Sequence, residues 1–298
     1  MTVIPPNQIL LTGDRATGPL GLGHYVRSLR HRLAYQDQHQ QFLMLSNTHS
    51  HADAEHLDQI ALDYLAIGID PQRSTIAVRA QIPELAELNA CYARFGAEVL
   101  DQPDVAHLIP EITALKARLI PTTDRAQAAL VERGNALVRA VNQRVGAEIL
   151  VPAAPVMAAN ARNTIGLDSA AHHLPLGATP DQISAAIHAL GTDAKRANAR
   201  APGDVEFNEV FFFMDAFETD IHFLDDLKSK YRRGGLSDVV IRHHLEDCVQ
   251  RFLEPIRERR EQLAQDMAYV RQVLQEGTQR ARHVAAQTLA DVRAGLGA

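Results

Sequence analysis

A short apolar run, Ile9-Leu10-Leu11-Thr12, stops at Gly13, a turn-rich stretch follows to Gly23, and apolar residues then recur at helical spacing through Val26, Leu29 and Leu33. This order reads as strand, glycine-rich loop, helix. The alternation continues: Phe42-Leu43-Met44-Leu45 is a second buried strand, and Ala54 to Ile67 has helical period through Leu57, Ile60, Ala61, Tyr64 and Leu65. Gly68-Ile69-Asp70-Pro71 stops that helix. Thr75-Ile76-Ala77-Val78 is a third strand, and Pro83 opens a helix to about Phe95. Short apolar strands alternating with helices imply an α/β fold with a parallel, doubly wound, Rossmann-like sheet.

Further along, the pattern predicts a helix from about Arg125 to Val145, a strand at Glu148-Ile149-Leu150-Val151, and a Pro, Ala and Gly-rich connection from Pro152 to Thr179. Beyond Pro180 everything is helical except the ambiguous run Val210 to Met214. The expected division is a Rossmann-like domain over 1–178 and an α-helical C-terminal domain over 179–298, with no internal repeat.

A chain of 298 residues buries enough apolar surface to need neither disulfide nor metal. Its two cysteines, Cys91 and Cys248, lie in apolar-periodic segments and read as reduced, buried thiols. No basic region followed by an apolar core opens the chain, and no apolar stretch approaches the ~20 residues of a membrane span. A cytoplasmic protein without membrane contact is expected. The net charge of −6 conceals an asymmetry, because Lys228 to Ala298 carries 13 Lys plus Arg against 9 Asp plus Glu. A polyanionic partner would meet that end. On charge alone, well-solvated helices with i,i+4 pairs are the commoner explanation.

The loop carries the chemistry. Backbone N–H groups and the positive end of a helix after a glycine-rich turn suit a phosphate. The string Thr12-Gly13-Asp14-Arg15-Ala16-Thr17-Gly18-Pro19-Leu20-Gly21-Leu22-Gly23-His24-Tyr25-Val26 resembles the first signature of class I aminoacyl-tRNA synthetases. The form is that of tryptophanyl-tRNA synthetases, in which Thr-Gly precedes a His-x-Gly-His box and Tyr-Val. The C-terminal part is similar to the same family's helical domain at Tyr231 to Val239, Phe252 to Arg260, Val273-Leu274, Glu276-Gly277 and Arg280-Ala281-Arg282. Val205 to Phe211 and Asp215-Ala216-Phe217 also fit, with Phe207 where the family usually has Gly.

The resemblance implies ATP-dependent activation of tryptophan, tRNA binding and homodimerisation, but several elements of that chemistry are absent. The first His of the box is Gly21. Loss of a charge-assisted donor to a phosphoryl transition state costs on the order of 10²–10³ in rate. Gly166-Leu167-Asp168 introduces the family's Lys-Met-Ser-Lys-Ser loop, yet here Ser169-Ala170-Ala171-His172-His173-Leu174 follows, and no lysine occurs between Lys116 and Lys195. Of the Gly-x-Asp-Gln segment only Asp124 or Gln127 persists. Between Pro83 and Pro121 the chain reads as shorter than the family by about a helix pair, with the loss of the acidic residue that reads the indole N–H. Without that buried acceptor tryptophan specificity is unsupported.

Candidate ligand-binding residues are therefore Thr17, Gly18, Gly23 and His24 for a nucleotide or anion, and Asn47, His49, Asp124, Gln127, Asp168, His172 and His173 for the pocket. ATP or an adenylate is the implied small molecule, in weakened form. His24, His49 and His51 approach one cleft in such a sheet, but no tight ligand motif supports a metal or haem there, and none is assigned. Arg232, Arg233, Arg259 and Arg260 are the candidate tRNA contacts. Three functions compete: an enzyme repurposed toward an amino-acid-like or adenylate-like ligand, a non-catalytic tRNA-binding or regulatory protein, and a divergent tryptophan–tRNA ligase.

Overall fold

The computed structural model describes residues 7–46, 53–100, 103–122, 125–157, 169–193, 196 and 198–297. Five parallel strands form one sheet in the order β3-β2-β1-β4-β5, from β1 (Ile9–Arg15), β2 (Gln40–Ser46), β3 (Ser74–Val78), β4 (Leu119–Thr122) and β5 (Ala154–Met157). Strand side chains alternate between two cores. Leu43 and Leu45 pack with Leu22, Val26, Leu29, Ile60 and Tyr64, whereas Phe42 and Met44 pack with Leu85, Leu88, Ile112, Leu137 and Val141. Both faces are buried, as a doubly wound sheet requires.

After β1 the chain enters α1 (Leu22–His24), a five-residue π-helical turn (Tyr25–Leu29) and α2 (Arg30–Tyr35). Helix α3 (Asp53–Ile67) joins β2 to β3, and α4 (Glu84–Leu100) and α5 (Pro103–Ala114) lead to β4. The single helix expected from Pro83 is thus followed by a second one. Helix α6 (Arg125–Val145) matches its expected span.

The strand expected at 148–151 is not there; the chain forms β5 from Ala154 instead. Two asparagines of α6 explain the shift. Asn142 accepts from the backbone N–H groups of Ile149 and Leu150 (3.1 and 2.9 Å) and donates to the carbonyl of Leu150 (2.8 Å). Asn135 accepts from the N–H of Ala153 and donates to its carbonyl, both at 2.8 Å. Backbone groups spent on side chains cannot join a ladder.

The remaining helices are α7 (Pro180–His188), α8 (Glu209–Phe217), α9 (Ile221–Arg233), α10 (Asp238–Ala264) and α11 (Met267–Leu296). The ambiguous run Val210 to Met214 is helical: Asn208 caps α8 by accepting from the N–H of Val210 at 3.0 Å, and Val210, Phe211, Phe213 and Met214 are fully buried. Helix α11 runs back along β3. Its Gly277 approaches so closely that a Cβ there would lie 2.0 Å from the carbonyl oxygen of Ile76, and Thr278 accepts from the N–H of Val78 at 3.0 Å. The outer edge of the sheet is thereby covered.

Candidate ligand cleft at the strand ends

Strand order reverses between β1 and β4, and in such sheets ligands bind outside the carboxyl ends of the strands at that point. A cleft of about 490 Å³ lies there, lined among others by Thr12, Asp14, Arg15, Glu111, Thr122 and Gln127. A smaller one of about 250 Å³ shares Thr12, Gly13, Asp14, Thr122 and Gln127 and adds Arg27, His31 and Arg32. Gln127, expected in the pocket, lines both. The Thr122 hydroxyl is buried and has no hydrogen-bond partner among the described residues, so a polar group in the cleft would find an acceptor and donor there.

Under the cleft floor sits a polar cluster that reading of the sequence did not single out. Arg32, 3% exposed, donates to Asp14 (2.7 Å), the Tyr64 hydroxyl (2.6 Å), Thr12 Oγ1 (3.1 Å) and the carbonyl of Gly13 (3.2 Å). The Tyr64 hydroxyl donates to Asp14 at 2.5 Å. Burial pushes the Asp14 carboxyl up, but the charge and hydrogen bonds of Arg32 and the bond from Tyr64 outweigh it and hold it below its ordinary value. The available signal was an arginine at position 32, within an otherwise apolar stripe through Val26, Leu29 and Leu33.

Helix α5 contributes Glu111, hydrogen-bonded to Arg79. Burial raises its pKa and the Arg79 charge opposes the rise. The cleft wall therefore carries a largely buried acid on α5, paired with Arg79, in the stretch read as shortened.

Around the glycine-rich loop the structure brings together His24, His172 and His173. Ring centroids of His24 and His172 lie 6.1 Å apart, and those of His172 and His173 5.0 Å apart. The segment carrying the two adjacent histidines lies directly on the loop: Leu22 N–H donates to the Leu174 carbonyl (2.8 Å), Gly23 N–H to the His172 carbonyl (3.0 Å), and Leu176 N–H to the Leu20 carbonyl (3.0 Å). Gly21 N–H donates to His24 Nδ1 at 3.0 Å, and Leu20 N–H to buried Asp63 at 2.7 Å. These N–H groups, expected to cradle an anion, are thus engaged within the chain. His24 must keep Nδ1 unprotonated to accept, which places its proton on Nε2; desolvation holds its pKa below the ordinary value, with Asp14 opposing and Arg32 and His173 adding to the fall.

The close approach also accounts for the missing first histidine. A Cβ at Gly21 would lie 2.7 Å from the His172 carbonyl oxygen, and one at Gly23 1.9 Å from His172 Nδ1. Thr17 is exposed and Gly18 has φ +142°, a conformation that suits glycine; neither lines the two clefts. Asn47, His49, His51, Asp124 and Asp168 lie outside the described residues.

Of the four candidate tRNA arginines, Arg232 and Arg233 are exposed at the end of α9, the first paired with Glu206 at 3.0 Å and the second donating to the Ser229 carbonyl at 3.3 Å. Arg259 and Arg260 instead hold α10 against α3. Arg259 donates to the Ala66 carbonyl and Arg260 to Asp63, both at 2.7 Å, and Arg260 also bonds Gln59. Cys91 and Cys248 are free and buried, as expected. No helix among the described residues is long and apolar enough to cross a membrane.

A parallel sheet with a cleft at its switch point, a glycine-rich first loop ending in Gly-His, and a following set of helices define the class I aminoacyl-tRNA synthetase architecture. The chain is 35% identical over 332 aligned positions to the tryptophan–tRNA ligase of Clostridium longisporum and 34% identical over 334 to that of Streptococcus pneumoniae, with 97% of each chain covered. It belongs to the tryptophan–tRNA ligase family. No family model matches it. Among solved structures, tryptophanyl-tRNA synthetase from Campylobacter jejuni complexed with ADP and tryptophan superposes with a TM-score of 0.81 at 19% identity, over 98% of this chain and all of that one. The enzyme from Mycoplasma pneumoniae gives 0.74 at 17%, covering 98% of both chains. The alignments to the ligases extend over more positions than the 298 residues of this chain, so those relatives carry residues that have no counterpart here.

Proposed function

We propose that this chain is a tryptophanyl-tRNA synthetase-like protein whose ATP-dependent activation of tryptophan is impaired and whose cleft takes an amino-acid-like or adenylate-like ligand. The observation that carries the reading is the contact of Gly21 with the His172–Leu174 segment. Where the family places a histidine donor, this chain has a glycine pressed against a backbone carbonyl, and the lysine loop is replaced by a segment lying on the Leu22 and Gly23 N–H groups. Electrostatic stabilisation of a transferring phosphoryl group comes from such donors. Cleft binding is supported by Asp14, Gln127 and the unpartnered Thr122 hydroxyl at the strand ends. Exposed Arg232 and Arg233 are the tRNA contacts in this reading, and the protein acts in the cytoplasm as a homodimer by analogy with its family.

The test is tryptophan-dependent exchange of pyrophosphate into ATP. The expected result is no exchange at a synthetase-like rate, alongside a thermal shift with an amino acid or adenylate. Robust exchange would instead establish a divergent tryptophan–tRNA ligase, the reading favoured by 35% identity along 97% of the chain. A monomeric mass in light scattering at micromolar concentration would remove the dimer.

A further inference from the structure

Outside the residues that line the two clefts, α8 and α10 bring a carboxylate, an imidazole and a thiol to a single point. Glu218 follows α8, and His244 and Cys248, four residues apart on α10, project from one face of that helix. Cys248 Sγ is 3.5 Å from Glu218 Oε2 and 3.6 Å from His244 Nε2, and the same Nε2 and Oε2 are hydrogen-bonded to each other. We infer that Glu218, His244 and Cys248 are three protein ligands of a zinc-class divalent cation.

The spacing fits the chemistry. With zinc–sulfur bonds of about 2.3 Å, zinc–nitrogen of about 2.0–2.1 Å and zinc–oxygen of about 2.0–2.2 Å, donors around a tetrahedral ion stand about 3.6 Å apart for S with N or O and about 3.3 Å apart for N and O. The two sulfur edges already have those lengths. The third opens to it when an ion replaces the hydrogen between Nε2 and Oε2; that proton passes to Nδ1 of a neutral ring or to solvent from an imidazolium, and the thiol proton leaves to solvent. One sulfur, one nitrogen and one oxygen donor suit borderline zinc better than the all-oxygen shells of calcium or magnesium. The ligands are held in place from outside: Glu218 Oε1 accepts from the N–H of Asp220 at 2.8 Å, which aims Oε2 at the cluster, and the Phe223 ring lies 4.9 Å from that of His244. Cys248 is buried and also meets Arg251 Nη2 at 3.7 Å, while the His244 side chain is 23% exposed, so a water would complete the shell from the His244 side. Such an ion would tie the end of α8 to α10. A second cluster, His188, His243 and Glu246, is more exposed and offers no thiol, so it serves as an internal control.

The experiment is a titration of the full-length, chelator-stripped protein with Co²⁺ and then Zn²⁺. One equivalent of Co²⁺ should produce tetrahedral d–d absorption and a near-ultraviolet sulfur-to-cobalt charge-transfer band, both abolished by one equivalent of Zn²⁺. Cys248→Ser and His244→Gln should lose the charge-transfer band, and the double variant His188→Ala/His243→Ala should keep it. In the unaltered protein Zn²⁺ should slow alkylation of Cys248 at least tenfold, a reading that does not depend on any variant folding. Absence of a charge-transfer band, its survival in Cys248→Ser, its loss in the His188/His243 variant, or unprotected alkylation would each overturn the assignment.

Discussion

Asp63 of α3, buried, and Arg260 of α10, partly exposed, form an ion pair at 2.7 Å, and the other oxygen of Asp63 accepts from the N–H of Leu20 in the glycine-rich loop at 2.7 Å. One carboxylate, 1% exposed, therefore joins the loop, the sheet side and the C-terminal helices. Replacing Arg260 by Ala leaves that carboxylate without its charge partner. A loss of about 3–5 kcal/mol in unfolding free energy is expected, read as a lower urea midpoint. A change within error would show that the pair is not what holds α10 to α3.

Gly21→His restores the family's residue in sequence but not in space. Its side chain would start 2.7 Å from the His172 carbonyl oxygen, so the 172–174 segment must move off the loop. The variant should melt lower than the parent and gain no tryptophan-dependent pyrophosphate exchange. Exchange raised tenfold or more would mean that the segment swings aside readily and that the glycine alone was limiting.

The Asp14–Arg32–Tyr64 cluster makes a pH prediction with a definite sign. Because the folded carboxyl titrates below its ordinary value of 3.8, its contribution is fully present above that value and is lost as pH falls through the lower folded pKa. Comparing the parent with Asp14→Asn isolates this carboxyl from Asp63 and Glu111, whose pKa values are shifted upward by burial. The stability gap between parent and variant should be widest near pH 7 and shrink below about pH 4, in urea titrations at stepped pH. A gap that is constant with pH would contradict the assignment.

If tRNA binds through α9, Arg232→Ala/Arg233→Ala should weaken it and flatten its salt dependence by roughly one unit per lost phosphate contact. Arg259→Ala should leave the salt slope unchanged, since that guanidinium is turned to the Ala66 carbonyl. Filter binding at four salt concentrations distinguishes them. An unaltered slope in the α9 double variant would remove these two residues from any tRNA surface.

The sequence determined the elements whose signal is local. Strands β1, β2 and β3 and helices α3 and α6 declare themselves through apolar period and punctuation, because each side chain's burial follows from its own position in a pleat or a turn. The family was legible in the same way, since Thr12 to Val26 and Tyr231 to Arg282 are contiguous strings. Strands β4 and β5 were not legible: each has four residues and a proline, and the start of β5 was decided by Asn135 and Asn142 capturing the chain before Ala154. Gln127 was found in sequence because it lies in a motif. Asp14, Arg32 and Tyr64, spread over 50 residues, became a cluster only when β1, α2 and α3 packed together. The arginines of α10 show the same limit. Composition revealed a basic C-terminal part, but only packing decided that Arg260 faces a buried carboxylate rather than water, because a charge's partner is set by distances across the fold and not along the chain.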